Sequence, residues 1–119
     1  MARVLVPLAP GFEEIEAVTI IDILRRANVE VTVAGTIAGP VKGSHGVLVV
    51  PDTTIDAVAS ALFDMVVLPG GGEGTANLRR DPRIASLVKR QSSRPRRSCT
   101  AEIARMRDSE SLSASSIDL

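Results

Sequence analysis

Short apolar segments and one longer periodic stretch alternate along the first part of the chain. The short segments lie at 4–8, 30–35 and 64–69, and residues 12–27 repeat apolar positions with the period of an amphipathic helix. Short apolar runs are typical of strands buried on both faces of a parallel sheet. A strand, a helix and a strand with short connections form a right-handed βαβ unit. The pattern therefore predicts an α/β fold.

The later part of the pattern predicts further elements of the same kind. In chain order these are a hairpin or edge excursion over 41–50, a short helix over 54–62, a buried strand over 64–69, a glycine-rich loop over 70–74 and a helix over 82–91. Asp81 is expected to cap the last helix, with Pro82 as its first residue. Asn28 is expected to end the first helix, because asparagine tolerates the left-handed conformation found there.

The composition changes after residue 88. Residues 1–88 carry seven basic and ten acidic side chains, whereas residues 89–119 carry seven basic and four acidic side chains and eight serines. A Ser/Arg-rich stretch with few β-branched residues is typical of a disordered or poorly packed segment. The sequence therefore predicts a folded part over 1–93 and a divergent tail over 94–119.

Charge and composition exclude several classes of partner. The 14 basic and 14 acidic residues cancel, and there is no Trp or Tyr, so neither an electrostatic footprint nor a base-stacking surface for nucleic acid is present. The apolar runs are far shorter than the ~20 residues that span a bilayer. A single cysteine forms neither an intramolecular disulfide nor a cysteine zinc cluster. We expect a cytoplasmic protein that binds neither nucleic acid nor membrane.

The helical pattern over 12–27 singles out Glu16. At 100° per residue Glu16 falls within the main apolar arc, so its carboxyl group is expected to face the sheet or a cleft beside it. Such burial disfavours the charged form, and open α/β sheets bind ligands at the carboxyl ends of their strands. The alternative is that Glu16 turns outward to solvent or to free backbone N–H groups. Glu13 and Glu14 are interpreted as structural, because the helix dipole favours acids in the first turn.

Three further features are candidates for chemistry. Backbone N–H groups of the glycine segment, with Gly70 and Gly71 first, are placed to meet an anion or a developing oxyanion, although a tight turn explains the glycines equally well. Cys99 follows two arginines and precedes a short helical pattern, which favours the thiolate. His45 is the only histidine and lies in a Gly-Ser-His-Gly loop, where a plain loop role is the main interpretation.

Five segments, taken together, resemble the ThiJ/PfpI family, which includes deglycases, glutathione-independent glyoxalases, stress chaperones and PfpI-type proteases. The segments are Val-Leu-Val-Pro-Leu-Ala-Pro-Gly-Phe-Glu-Glu-Ile-Glu-Ala at 4–17, Asp-Ile-Leu-Arg-Arg-Ala at 22–27, Val-Thr-Val-Ala-Gly at 31–35, Gly-Val-Leu-Val-Val-Pro-Asp at 46–52 and Asp-Met-Val-Val-Leu-Pro-Gly-Gly at 64–71. The resemblance runs from residue 1 to about residue 93.

The resemblance implies a flavodoxin-like parallel sheet flanked by helices, related to the class I glutamine amidotransferases, and a homodimer. It implies that Glu16 hydrogen-bonds a nucleophilic cysteine and that Gly70 and Gly71 help to form an oxyanion hole. Cys99 lies near the nucleophile's expected position. The implied activity is glyoxalase or deglycase action on methylglyoxal, a small aldehyde, or on glycated protein, without a cofactor.

The chain departs from the family pattern after the last predicted helix. The family continues with a buried strand that leads into the cysteine, whereas this chain reads Arg-Pro-Arg-Arg-Ser at 94–98. Charged residues and a proline do not fit a central parallel strand. The change in composition is therefore expected to reflect a shifted reading frame, a truncated gene or a fragment. Two alternatives to an enzyme follow: a non-catalytic oligomerising or chaperone-like binding module, and a flavodoxin-like domain that binds flavin or nucleotide.

Overall fold

The computed structural model describes residues 2–92 and shows a parallel sheet covered by helices. The strands are β1 (Arg3–Leu8), β2 (Glu30–Gly35), β3 (Val41–Lys42), β4 (Leu48–Val49), β5 (Thr53–Thr54) and β6 (Met65–Val66), and the helices are α1 (Glu14–Arg26), α2 (Gly72–Arg80) and α3 (Pro82–Ser92). The order in the four-stranded sheet is β5-β2-β1-β6, all parallel, and β3 and β4 form a separate antiparallel hairpin. The predicted α/β fold class is confirmed.

Strand β1 lies at the centre of the sheet and is buried on both faces. It pairs with β2 along its whole length, from Arg3 opposite Glu30 to Leu8 opposite Gly35. Val4 and Val6 point to the core that includes Ala17 of α1, while Leu5 packs in a second core with Leu87 of α3. Helices therefore cover both faces, which explains why β1 is almost entirely apolar.

The region between β4 and α3 differs from the prediction at two places. The short helix expected over 54–62 is only a 3-10 turn at Asp56–Val58, and Thr53–Thr54 before it forms the edge strand β5 beside β2. The glycine-rich segment, expected to be a loop, enters helix α2 at Gly72. Glycine disfavours helix, so propensity alone gave no signal for α2.

Helix α1 begins at Glu14 rather than at Phe12. Phe12 belongs to the preceding loop, where it is fully buried, and Asn28 adopts the expected left-handed conformation with φ of 63° just after the helix. Because Phe12 was included in the predicted helix, the centre of the expected apolar face was displaced around the helix from the face that is buried in the structure. The observed buried residues of α1 are Glu14, Ala17 and Ile20, whereas Ile23, expected inside, is 58% exposed.

Two further expectations concern membrane-spanning helices and the boundary of the folded part. Within residues 2–92, no helix combines the length and the apolar character needed to cross a membrane. The predicted boundary after residue 93 and the tail over 94–119 lie outside the described residues, so the division of the chain stays a prediction.

Candidate active site at the carboxyl ends of β1 and β6

The loop after β1 and the loop after β6 meet at one edge of the sheet. The backbone N–H of Glu13 donates to the carbonyl oxygen of Gly70 at 2.9 Å, and the N–H of Gly74 donates to the carbonyl oxygen of Gly11 at 3.0 Å. The side chain of Asn77 adds a third link to the carbonyl oxygen of Pro10 at 2.8 Å. These bonds fix the start of α1 against the start of α2, at the sheet edge where α/β folds bind ligands.

Glu16 lies in the first turn of α1, at this meeting point. Its side chain is half-buried, and its Oε1 accepts a hydrogen bond from the backbone N–H of Gly70 at 3.2 Å. The structure thus brings together two of the residues singled out by sequence. Glu16 lies at the margin of the helix face that packs on the sheet, intermediate between the inward and outward alternatives.

Gly71 and Gly74 are required by close backbone approach. Gly71 has φ of 104°, and a Cβ there would lie 2.8 Å from the N of Glu13 and 2.9 Å from the carbonyl oxygen of Gly11. A Cβ on Gly74 would lie 2.7 Å from Cα of Phe12. The glycines therefore let the two loops touch, which supports the tight-turn interpretation. A role of Gly70 and Gly71 as oxyanion donors stays a prediction.

Cys99 lies outside the described residues. The hydrogen bond between Cys99 and the Glu16 carboxyl group, on which the catalytic interpretation depends, therefore stays a prediction. The described part of the candidate site consists of Glu16, Gly70 and Gly71.

The most buried charged side chain of the described region is Glu14, which the sequence analysis treated as an ordinary first-turn acid. Its Oε2 accepts hydrogen bonds from the backbone N–H of His45 at 2.7 Å and of Val47 at 3.2 Å. Its Oε1 lies 3.2 Å from Oγ of Ser44, which donates to it, and 3.3 Å from Nδ1 of His45. Glu14 therefore ties α1 to the hairpin loop between β3 and β4.

These contacts decide the charge of Glu14. Burial by itself raises the pKa of Glu14, but hydrogen bonds from the backbone amides of Glu14, Val47 and His45 and from the His45 ring outweigh it and lower the pKa to about 2. The space for the carboxyl group is left by Gly43, where a Cβ would lie 2.5 Å from Cδ of Glu14. Sequence gave no local signal for this arrangement, because the partners lie 30 or more positions away.

The fold and the junction define a class of protein: a flavodoxin-like α/β domain with a carboxyl group beside a glycine-rich turn at the sheet edge. Residues 2–103 match the model of the DJ-1/PfpI family. The chain belongs to this family, which confirms the resemblance seen in the sequence.

Individual relatives agree with this assignment. The chain is 47% identical over 90 residues to Protein dj-1beta of Drosophila melanogaster, covering 75% of this chain and 48% of that protein. It is 38% identical over 79 residues to the glutathione-independent glyoxalase DJR-1.2 of Caenorhabditis elegans, covering 66% of this chain and 42% of that protein. The crystal structure of Drosophila DJ-1beta matches with a TM-score of 0.76 at 44% identity, covering 77% of this chain and 50% of that chain. The chain thus spans about half the length of these relatives.

Proposed function

We propose that this protein takes part in cysteine-dependent glyoxalase or deglycase chemistry on methylglyoxal or its protein adducts. The observation that carries the proposal is the hydrogen bond from the Gly70 N–H to Oε1 of the half-buried Glu16, which holds a carboxyl group beside the glycine turn. The 38% identity to a glutathione-independent glyoxalase supports the same chemistry. The chain spans about half the length of such relatives, so the proposal assigns roles only to residues that this chain contains.

The proposed reaction begins with attack of the Cys99 sulfur on the aldehyde carbon of methylglyoxal. A C–S bond forms, the electron pair of the C=O bond moves to oxygen, and Glu16 takes the thiol proton and passes it to that oxygen. A proton then moves from the aldehyde carbon to the neighbouring carbonyl carbon, with Glu16 as its carrier, which converts the hemithioacetal into a lactoyl thioester. Water attacks the thioester, the C–S bond breaks, and lactate and the free thiol are released. The N–H of Gly71 is the proposed donor to the developing oxyanion, and that of Gly70 joins it when Glu16 turns to the sulfur. Lactate is methylglyoxal plus one water, so the overall reaction needs no oxidant, reductant or cofactor.

Methylglyoxal consumption by the purified full chain tests this proposal. Cys99→Ser is expected to abolish turnover, because the hydroxyl group is a far weaker nucleophile than the thiolate at neutral pH. Asp22→Asn is the control substitution outside the proposed site, because Asp22 lies in an exposed pair with Arg26, and it is expected to keep the wild-type rate. Absence of lactate formation by the wild-type chain, or equal rates in wild type and Cys99→Ser, would refute the enzymatic proposal.

A second candidate is a binding module that forms a homodimer or binds unfolded clients through an apolar surface. Ile15 directly follows Glu14 and is 77% exposed, and Val47, whose N–H donates to Glu14, is about half exposed. Leu48 and Val50 of the hairpin are also exposed. Exposed apolar side chains on both sides of the Glu14 contact favour association with another protein surface. The occupant that we propose is a second copy of this chain.

The oligomeric state of Ile15→Lys tests the proposed dimer surface. We expect the wild-type chain to sediment as a dimer and Ile15→Lys as a monomer, because the variant places a charge on the apolar surface. Leu62→Lys is the matched control, because it places the same charge on an exposed apolar residue of a separate loop and should leave the dimer intact. Prevention of client aggregation without methylglyoxal turnover would favour the binding module over the enzyme.

A further inference from the structure

Three side chains with metal-binding atoms meet where α1 begins. The carboxyl groups of Glu13 and Glu14 and the ring of His45 each offer one donor atom, and these atoms lie within 4.8 Å of one another. Nδ1 of His45 is 3.3 Å from Oε1 of Glu14 and 3.8 Å from Oε1 of Glu13. The three residues come from two elements, the start of α1 and the hairpin loop, that only the fold brings together.

The two separations that involve His45 are close to those of ligands on one small divalent ion. Zinc binds imidazole nitrogen and carboxylate oxygen at about 2.0–2.1 Å, so two ligands of a tetrahedral ion lie about 3.3 Å apart. The His45–Glu14 separation of 3.3 Å matches this edge, and the His45–Glu13 separation of 3.8 Å needs a shift of about half an ångström in an exposed ring. The hydroxyl group of Ser44, 3.0 Å from Nδ1 of His45, lies at the same point.

Glu14 is held in the way that metal-binding carboxylates are held. Two backbone amides, of His45 and Val47, fix its Oε2, and the side chains of Ser44 and His45 contact its Oε1. Oε2 is therefore oriented by the backbone, as outer hydrogen bonds orient metal ligands in other proteins, and Oε1 contacts side chains that an ion can displace. The His45 side chain is 76% exposed, so an ion reaches the cluster directly from solvent.

We propose that Glu13, Glu14 and His45 form a binding site for a divalent transition-metal ion of the zinc type, which cross-links the start of α1 to the β3–β4 hairpin. The ion takes the place of the proton that Nδ1 of His45 donates to Glu14, and that proton is released to solvent. Two carboxylates and one imidazole neutralise the ion and leave a fourth position for water. Nitrogen and oxygen donors of this kind suit zinc and its neighbours rather than calcium or magnesium, which take oxygen ligands alone. Its ligands are Glu13, Glu14 and His45, whereas the proposed chemistry uses the carboxyl group of Glu16 and the N–H groups of Gly70 and Gly71; the two sets share no side chain.

The single histidine of the chain makes the test direct. The untagged full chain is titrated with zinc chloride while the ¹⁵N resonances of the imidazole are followed. We expect saturable one-to-one binding, a shift of the Nδ1 resonance, and the proton fixed on Nε2. Zinc that binds without moving the His45 resonances, or that does not bind at all, overturns the proposal.

Variants separate this site from other zinc-binding groups of the chain. His45→Asn and Glu13→Gln are expected to weaken zinc affinity by at least about 10-fold, since loss of a ligand costs no less than loss of an outer hydrogen bond. Asp22→Asn, an exposed carboxyl group on the same helix, is expected to bind zinc as the wild type does. Glu14→Gln is informative only if it folds, so Glu13→Gln decides the carboxylate contribution. Equal affinity in wild type and His45→Asn refutes the site.

Discussion

Two regions flank the start of α1, and each contains one glutamate of the same helical turn. On the hairpin side, Glu14 is buried and both of its oxygens are engaged with residues 44–47. On the glycine side, Glu16 is half-buried and accepts a hydrogen bond from the Gly70 N–H at the carboxyl ends of the strands. The donors around Glu14 hold its pKa low, whereas Glu16 is the side chain to which we assign the proton transfer. Two positions of one helical turn thus place one carboxyl group against the hairpin loop and the other against the glycine turn.

The largest expected effect comes from Glu16→Gln. If Glu16 transfers the proton, the variant loses about 100-fold or more in the rate of methylglyoxal turnover, while the amide preserves the shape of the side chain. The free energy of unfolding should change little, because the side chain is half-exposed. Parallel assays of turnover and urea unfolding check both parts. A variant that keeps full activity but loses stability would reverse the roles assigned to the two glutamates.

The glycine side depends on backbone contact, and Gly74→Ala tests that contact. Its Cβ would lie 2.7 Å from Cα and 2.8 Å from N of Phe12, and backbone atoms cannot move aside cheaply. Overpacking of this kind costs about 2 kcal/mol of unfolding free energy. Gly72→Ala is the matched control in the same helix, because a Cβ there meets nothing within 4 Å. We expect it to be neutral or to stabilise by up to about 1 kcal/mol. Equal destabilisation in both variants would show that the contact with Phe12 is unimportant.

The contact of Glu14 with the hairpin loop should make the free energy of unfolding depend on pH in the acid range. The pKa of Glu14 is lowered from 4.5 to about 2 in the folded chain, so its contribution to stability is present above about pH 4.5 and is lost as the pH falls toward 2. Glu14→Gln is expected to remove this part of the acid dependence and to be less stable at neutral pH. Urea unfolding at several pH values measures both.

Asp81→Asn serves as the comparison variant for the acid series. Hydrogen bonds from the Arg83 side chain lower the pKa of Asp81, so this variant removes a different part of the same acid dependence. It acts at the start of α3, far along the chain from the hairpin loop. If Glu14→Gln keeps the wild-type slope while Asp81→Asn flattens it, the enclosure of Glu14 does not carry the stability that we assign to it.

The framework was predictable from sequence because its signals are local. β1, β2 and α3 follow from apolar runs, alternation and the Asp81-Pro82 start signal, all contained within a few residues. Helix α2 was missed because its glycines are selected by contact with the loop after β1 rather than by helix propensity. Enclosure of Glu14 by a distant loop left no pattern either. The helical wheel counted Phe12 as helical and placed Glu16 within the apolar arc, whereas α1 begins at Glu14 and Glu16 is half-buried.

The smallest expected effect provides the baseline for both glutamates. Asp22 is a third acid on α1, and its Oδ1 accepts a hydrogen bond from Nε of Arg26 at 3.0 Å on the exposed face. Asp22→Asn should cost only about 0.3–0.5 kcal/mol, because solvent and salt screen such a pair. A double-mutant cycle with Arg26→Gln at low and at 1 M salt measures the coupling, which should vanish at high salt. A coupling as large as the loss in Glu14→Gln would mean that helix position, rather than enclosure by the hairpin, sets the contribution of an acid on α1.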